Sequence, residues 1–181
     1  MNILAISGSL RKNSLNSALT RVLVNSAPEG FSANTASIID KLPFFNPDID
    51  DIENPHDMVK QFRELLRKAD GLVIVSPEYA HNIPGVLKNA LDWVVASGEL
   101  VNKPIVVINV SPSFMGGDKA HASLKYLVKL LSARLVEEAS FLVSGAKGKF
   151  DAEGNLMDAE VILKINQVYE HFKRMHGHLN P

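Results

Sequence analysis

Short apolar runs alternate along this chain with longer stretches in which apolar residues recur every three or four positions. The short runs read as strands and the longer stretches as helices. Asn2–Ser7 is the first run, and Leu15, Ala18, Leu19, Val22 and Leu23 then follow at helical spacing, ending near Pro28 and Gly30. Residues 31–38 make a weaker second strand, and a proline-marked stretch, 41–55, separates it from the next helix. That helix carries Met58, Val59, Phe62, Leu65, Leu66 and Ala69 on one face. Gly71–Ser76 is the third strand and 84–97 the helix after it. Pro104–Val110 is the fourth strand, with Ala120, Leu124, Leu127, Val128 and Leu131 lining the helix that follows. Residues 135–143 hold a fifth strand, 151–155 a turn, and Val161, Ile165, Val168, Phe172 and Met175 form the stripe of a last helix.

Five strand–helix alternations predict an α/β fold with a parallel sheet and helices on both faces. The continuous β-branched run Val73, Ile74, Val75 fits a strand buried on both sides. Five strands favour a flavodoxin-like three-layer sandwich with strand order 2-1-3-4-5, whose switch point lies between strands one and three. The loops that leave those two strands then sit side by side, where open α/β sheets hold their ligands. No repeat, low-complexity segment or linker interrupts the pattern, so 1–181 reads as a single domain.

Composition narrows the function more than the fold. A formal net charge of −1 provides no field for nucleic acid or an anionic membrane. The absence of cysteine rules out disulfides, thiolate metal sites and thiol catalysis. Without a signal peptide or a run of transmembrane length, the expectation is a cytoplasmic protein.

Candidate chemistry gathers in the two switch-point loops. After the first strand come Gly8, which permits a tight turn, the short polar side chains of Ser9, Asn13, Ser14 and Asn16, and the cations Arg11 and Lys12. With the free N–H groups of a helix start, these form a site for a phosphate group. Arg11 can grip two phosphate oxygens at once. Ser14 or Asn13 alone is equally well explained as an N-cap. That does not account for two cations at the positive end of a helix, where an anion is wanted. The loop has neither the Walker A spacing nor a Gly-x-Gly-x-x-Gly fingerprint, and a monophosphate suits it better than a triphosphate or pyrophosphate. After the third strand, Pro77 and Pro84 bracket a short polar loop.

Gly8, Ser9, Leu10 and Arg11 with Ser14 and Asn16, then Ser76, Pro77, Glu78 and Tyr79 and the segment 84–93 (PGVLKNALDW), together resemble the NADPH-dependent FMN reductase family. That family includes quinone, chromate and azo-dye reductases, and the likeness runs over nearly the whole chain. The resemblance implies FMN as cofactor, with Ser9, Arg11, Ser14, Leu15 and Asn16 around its phosphate. It places Pro77, Glu78, Tyr79 and the backbone near Asn82 along the isoalloxazine ring, and Ser111 with the loop to Gly117 on the other side. It further implies an oxidoreductase that takes hydride from NADPH or NADH and reduces a quinone or a similar acceptor, as a homodimer or homotetramer. No catalytic side chain is expected, because hydride transfer is the chemistry of the cofactor itself. The alternatives are a flavodoxin-type FMN electron carrier and a flavin-binding sensor. The chain departs from the family after Tyr79, where Ala80, His81 and Asn82 stand in place of a common Asn-Gly-Ser or Asn-Tyr-Ser. His81 and Phe114 are candidates for shaping the acceptor side.

The remaining polar groups read more plainly. Asp48, Asp50, Asp51 and Glu53 lack calcium-loop spacing and read as a solvated loop. Asp151, Glu153 and Asn155 read as a turn, since Ile162 stands where a calcium loop needs glutamate. No metal site is expected. His171, His176 and His178 read as a mobile polar tail, and His121 as decoration on the fourth helix. Trp93 and Tyr126 read as core or subunit contact, with Trp93 turned away from the apolar face of its helix and suited, if exposed, to a partner surface.

Overall fold

The structure, a computed structural model, describes residues 1–177. Strands β1 (Asn2–Ser7), β2 (Ser32–Thr35), β3 (Gly71–Ser76) and β4 (Pro104–Val110) form a parallel sheet, continued by β5 (Arg134–Leu135). The strand order is β2-β1-β3-β4-β5, as the alternation predicts. The second strand covers four residues rather than eight. The fifth is broken in two: β6 (Phe141–Val143) resumes the pairing with β4 after an interruption. Residues 136–140 face only Val106 and Val107, so the excess bulges out as a 3-10 turn at Glu137–Ala139. Ser140 repairs the gap, its Oγ accepting from Val107 N at 3.0 Å and donating to Val136 O at 2.8 Å.

Alternation along the strands feeds two separate cores. Ile3, Ala5, Val73, Val75, Val106 and Ile108 face α1 (Leu15–Asn25) and α5 (Ala159–Gly177). Leu4, Ile6, Leu72, Ile74, Ile105 and Val107 face α2 (Asp57–Lys68), α3 (Gly85–Asp92) and α4 (Asp118–Leu130). Burial on both faces explains why these strands read as continuous apolar runs. Among the described residues no helix is long and apolar enough to cross a membrane.

Two expectations change. First, α3 stops at Asp92 instead of reaching Ser97. Past Asp92 the backbone tightens to i−3 pairing, Val94 N donating to Leu91 O and Val95 N to Asp92 O. Arg63, 1% exposed on α2, meets the chain just there, its Nε and one terminal nitrogen donating to Trp93 O at 3.1 and 2.7 Å. Arg63, not Leu65, is what α2 buries, and Leu65 stays partly exposed.

Second, the acidic stretch is not wholly solvated. Asp50 is the buried partner of Arg63 at 2.7 Å, while Asp51 caps its own turn by accepting from Glu53 N and Asn54 N. Those two backbone donors hold the Asp51 carboxyl below its usual range. Of the two readings of Trp93, core and subunit contact, the first holds, since its side chain is buried. Its Nε1 donates to Pro43 O at 2.8 Å and its ring meets Phe45 edge-on at 5.1 Å. Asn89, one turn earlier, bonds Pro43 O and Phe45 N, so α3 fastens the irregular segment down.

The tail expectation also gives way, since α5 extends through Gly177 and carries His171 and His176, whereas His178 lies outside the described residues. Residues 151–155 do form a turn, with Asn155 N donating to Asp151 Oδ1 at 2.7 Å.

Arg63→Ala is expected to cost about 3–5 kcal/mol, because it strands Asp50 and the Trp93 carbonyl away from water. Urea unfolding of the variant against the parent protein measures this.

Candidate functional site

One backbone hydrogen bond and one glycine set the site. Gly8 N donates to Val75 O at 2.8 Å, extending the β1–β3 ladder one residue past Ser7. The loop after β1 therefore leaves the sheet directly against the loop after β3. A Cβ on Gly8 would stand 3.2 Å from Leu87 Cδ2 and 3.3 Å from Ser76 Oγ. Gly8 is thus needed for close approach rather than for an unusual backbone angle.

The chain then enters α1 through Ser14, whose Oγ accepts from Ser17 N at 2.9 Å. Ser14 is the N-cap, and Asn13 is not. The N–H groups of the first turn open toward the space above the sheet.

That space is a cleft of about 440 Å3. Ser9, Arg11, Ser14, Leu15, Asn16, Pro77, Glu78, Tyr79 and Ser111 all line it. Of the predicted site residues, Asn82 alone does not. It closes a tight turn instead, exchanging backbone hydrogen bonds with Tyr79 at 2.9 and 3.0 Å. The two residues between them, Ala80 and His81, have φ of 50° and 57°. Left-handed geometry at both central positions is the turn that Asn-Gly forms without strain. This chain holds it with two residues that bear a Cβ, the point at which it leaves the family pattern. Neither His81 nor Phe114 lines the cleft, and both stand exposed.

Three polar links brace the cleft. Asn16 Nδ2 donates to Val110 O at 3.3 Å, tying α1 to the end of β4. Glu78 Oε2 accepts from Ala120 N at 2.9 Å, so its carboxylate caps the N-terminus of α4. Gly117, at φ 85°, makes room for this, its missing Cβ lying 3.4 Å from Glu78 Cβ. His121 is no surface decoration. It is half-buried, with Nδ1 3.1 Å from Oδ1 of the fully buried Asn109. Burial chiefly, helped by Lys125 and opposed by Glu137, pushes its pKa down to about 4.

Other atoms are left without partners. Ser9 Oγ and Asn16 Oδ1 are buried and unbonded, and both residues line the cleft. Burying such groups unpaired is costly, which marks the cleft as built around something that pairs them. A hydroxyl can donate to a phosphate or polyol oxygen, and an amide oxygen can accept from a polyol hydroxyl. The Arg11 guanidinium forms no ion pair among the described residues. Asn13 of the first polar loop and Pro112 of the loop after Ser111 also line the cleft, as do Val110 and Lys147, which the sequence reading did not single out. Lys147 leaves no local pattern, but it follows the last strand of the same sheet and so sits at the end where ligands bind.

An open parallel sheet with this cleft at its switch point places the protein among flavodoxin-like folds. Residues 1–148 match the family described as NADPH-dependent FMN reductase. The chain is 34% identical over 169 residues to an NAD(P)H-dependent FMN reductase of Pseudomonas aeruginosa, covering 92% of this chain and 90% of that protein. It is 31% identical over 161 residues to a quinone reductase of Escherichia coli, covering 87% and 86%. The solved structure of FerB, a flavoenzyme NAD(P)H:(acceptor) oxidoreductase from Paracoccus denitrificans, matches with a TM-score of 0.83 at 25% identity over 94% of each chain. The chain belongs to the NADPH-dependent FMN reductase family.

The depressed His121 pKa has a measurable consequence. Between pH 6.5 and about 4 the unfolded chain binds a proton there that the folded protein does not, so stability falls as pH drops through that window. His121→Gln is expected to shrink the stability lost between pH 7 and pH 4.5 by about 1–2 kcal/mol, a figure reduced for partial exposure. Denaturant unfolding across that range, variant against parent, checks it.

Proposed function

We propose that the whole chain, 1–181, is one FMN-binding domain that works as an NAD(P)H:acceptor oxidoreductase on quinones or similar compounds. The observation that carries this reading is the pair of unbonded buried atoms, Ser9 Oγ and Asn16 Oδ1, in a cleft that also holds a free Arg11 and a helix N-terminus. A ribityl phosphate satisfies all four. Ser9, Arg11, Ser14, Leu15 and Asn16 would hold the phosphate and the polyol. Pro77, Glu78 and Tyr79 would lie along the ring, with Ser111 opposite and Asn82 acting through the turn that carries Tyr79.

The chemistry FMN supplies when bound is two-electron transfer from NADPH or NADH to an acceptor such as a quinone, chromate, an azo compound or free flavin. The protein's part is to bind, orient and leave one side open. Tyr79 is half exposed at the rim, which suits a site that a nicotinamide and then an acceptor must both reach. Glu78 contributes by bracing its loop on α4, not by moving a proton.

Phe44, Phe114 and Met115 stand exposed in the isolated chain, and this exposed apolar surface supports a homodimer or homotetramer that would cover it. The cytoplasm, where NAD(P)H is kept, is the proposed compartment.

The purified protein is expected to carry a yellow flavin spectrum that bleaches with NADPH or NADH under anaerobic conditions and recovers on adding a quinone. A flavin that the nicotinamide does not bleach would instead make the protein an electron carrier. Arg11→Ala is expected to weaken FMN about 10–100-fold, the worth of one charge-assisted pair, and to leave riboflavin affinity unchanged. Equal loss for both ligands would remove Arg11 from the phosphate.

A further inference from the structure

Lys147 lies on the 3-10 segment Ala146–Lys149, more than a hundred residues from the loop it faces. Its backbone is fixed from two sides. Gly145 N donates to Ser113 O at 3.0 Å, and Ala146 N donates to Ser111 O at 3.0 Å. Ala146 itself is fully buried, in the core beneath α5. Lys147, exposed on this anchored base, lines the same cleft as Arg11, Asn13, Ser14 and Leu15.

Its neighbour shows the contrast. Lys149, two residues on, is held by Asp158. Lys147 has no carboxylate partner among the described residues, and neither has Arg11. Two unpaired cations from distant parts of the chain thus converge on the positive end of α1. The single carboxylate lining the cleft, Glu78, is engaged by α4. Two free cations beside a helix N-terminus suit an anion that carries more than one negative charge.

We infer that Lys147 is a second phosphate-binding cation, working opposite Arg11 to select a dianionic phosphomonoester over a phosphodiester or an uncharged analogue. The inference rests on the flavin reading above, and it adds a selectivity: FMN over both riboflavin and FAD. Arg11 supplies a planar fork for two oxygens, while the flexible lysine neutralises the remaining charge as a point charge.

Titration of the full-length protein, freed of flavin by dialysis and followed by quenching of flavin fluorescence, tests this. Lys147→Gln is expected to weaken FMN about 5–10-fold, to leave riboflavin within about twofold, and to flatten the salt dependence of FMN binding. Lys147→Arg, which keeps the charge, is expected to stay within about twofold of the parent for FMN. An unchanged FMN-to-riboflavin ratio in Lys147→Gln overturns the inference alone, and so does an equal loss for both ligands. If the parent protein binds neither flavin, the proposed function falls, and this inference with it.

Discussion

Parallel pairing of β1 with β3 is the constraint on which the rest of this molecule depends. It sets Gly8 beneath Val75 O and delivers two polar loops to the same edge of the sheet. Neither loop makes a site alone. The first brings the helix N-terminus, Arg11 and the buried hydroxyl of Ser9; the second brings the proline-framed surface of Pro77 to Tyr79. The absence of a Cβ at Gly8 keeps these loops in van der Waals contact, because a methyl there would press on Leu87 and Ser76. The two apolar cores hold the sheet rigid beneath, so the loops need little regular structure of their own.

Rigidity is transmitted to the cleft through polar links rather than through the cores. Asn16 reaches Val110 O, Glu78 reaches Ala120 N, and His121 reaches Asn109. The first two join a switch-point element to the fourth strand or its helix, and the third fastens that helix to that strand. The same economy appears below, where Arg63 binds Asp50 and the Trp93 carbonyl together. A buried guanidinium so placed ties α2 to the chain just past α3 and to Asp50 at once.

The sheet order, the helices and nine of the thirteen residues that line the cleft were legible because each has a local signature. β-branched runs, 3.6-residue spacing and polar residues at strand ends all show within a few positions. What escaped reading depends on distant partners. Asp50 looks like any solvated acid until Arg63 is placed opposite it. Which of core or contact Trp93 takes depends on Pro43 and Phe45, distant in sequence. Lys147 reaches the cleft that holds Arg11 only through the topology of the last strand. The bulge at 136–140 shows no local pattern, since extra residues in a ladder are defined by their partner strand. His121 faces inward because Asn109 is there to receive it.

The interrupted fifth strand has an effect well away from the cleft. Beyond β4 the sheet offers two ladder pieces of two and three residues, with a 3-10 bulge between them. At the opposite margin β2 is four residues long, polar and largely solvent-facing. An incoming strand needs a longer flat row of free N–H and C=O groups than either margin presents. A sheet with some of the most apolar strands a protein can carry is thereby guarded at both borders against zipping to its own kind, and crowding alone would not turn it toward fibrils.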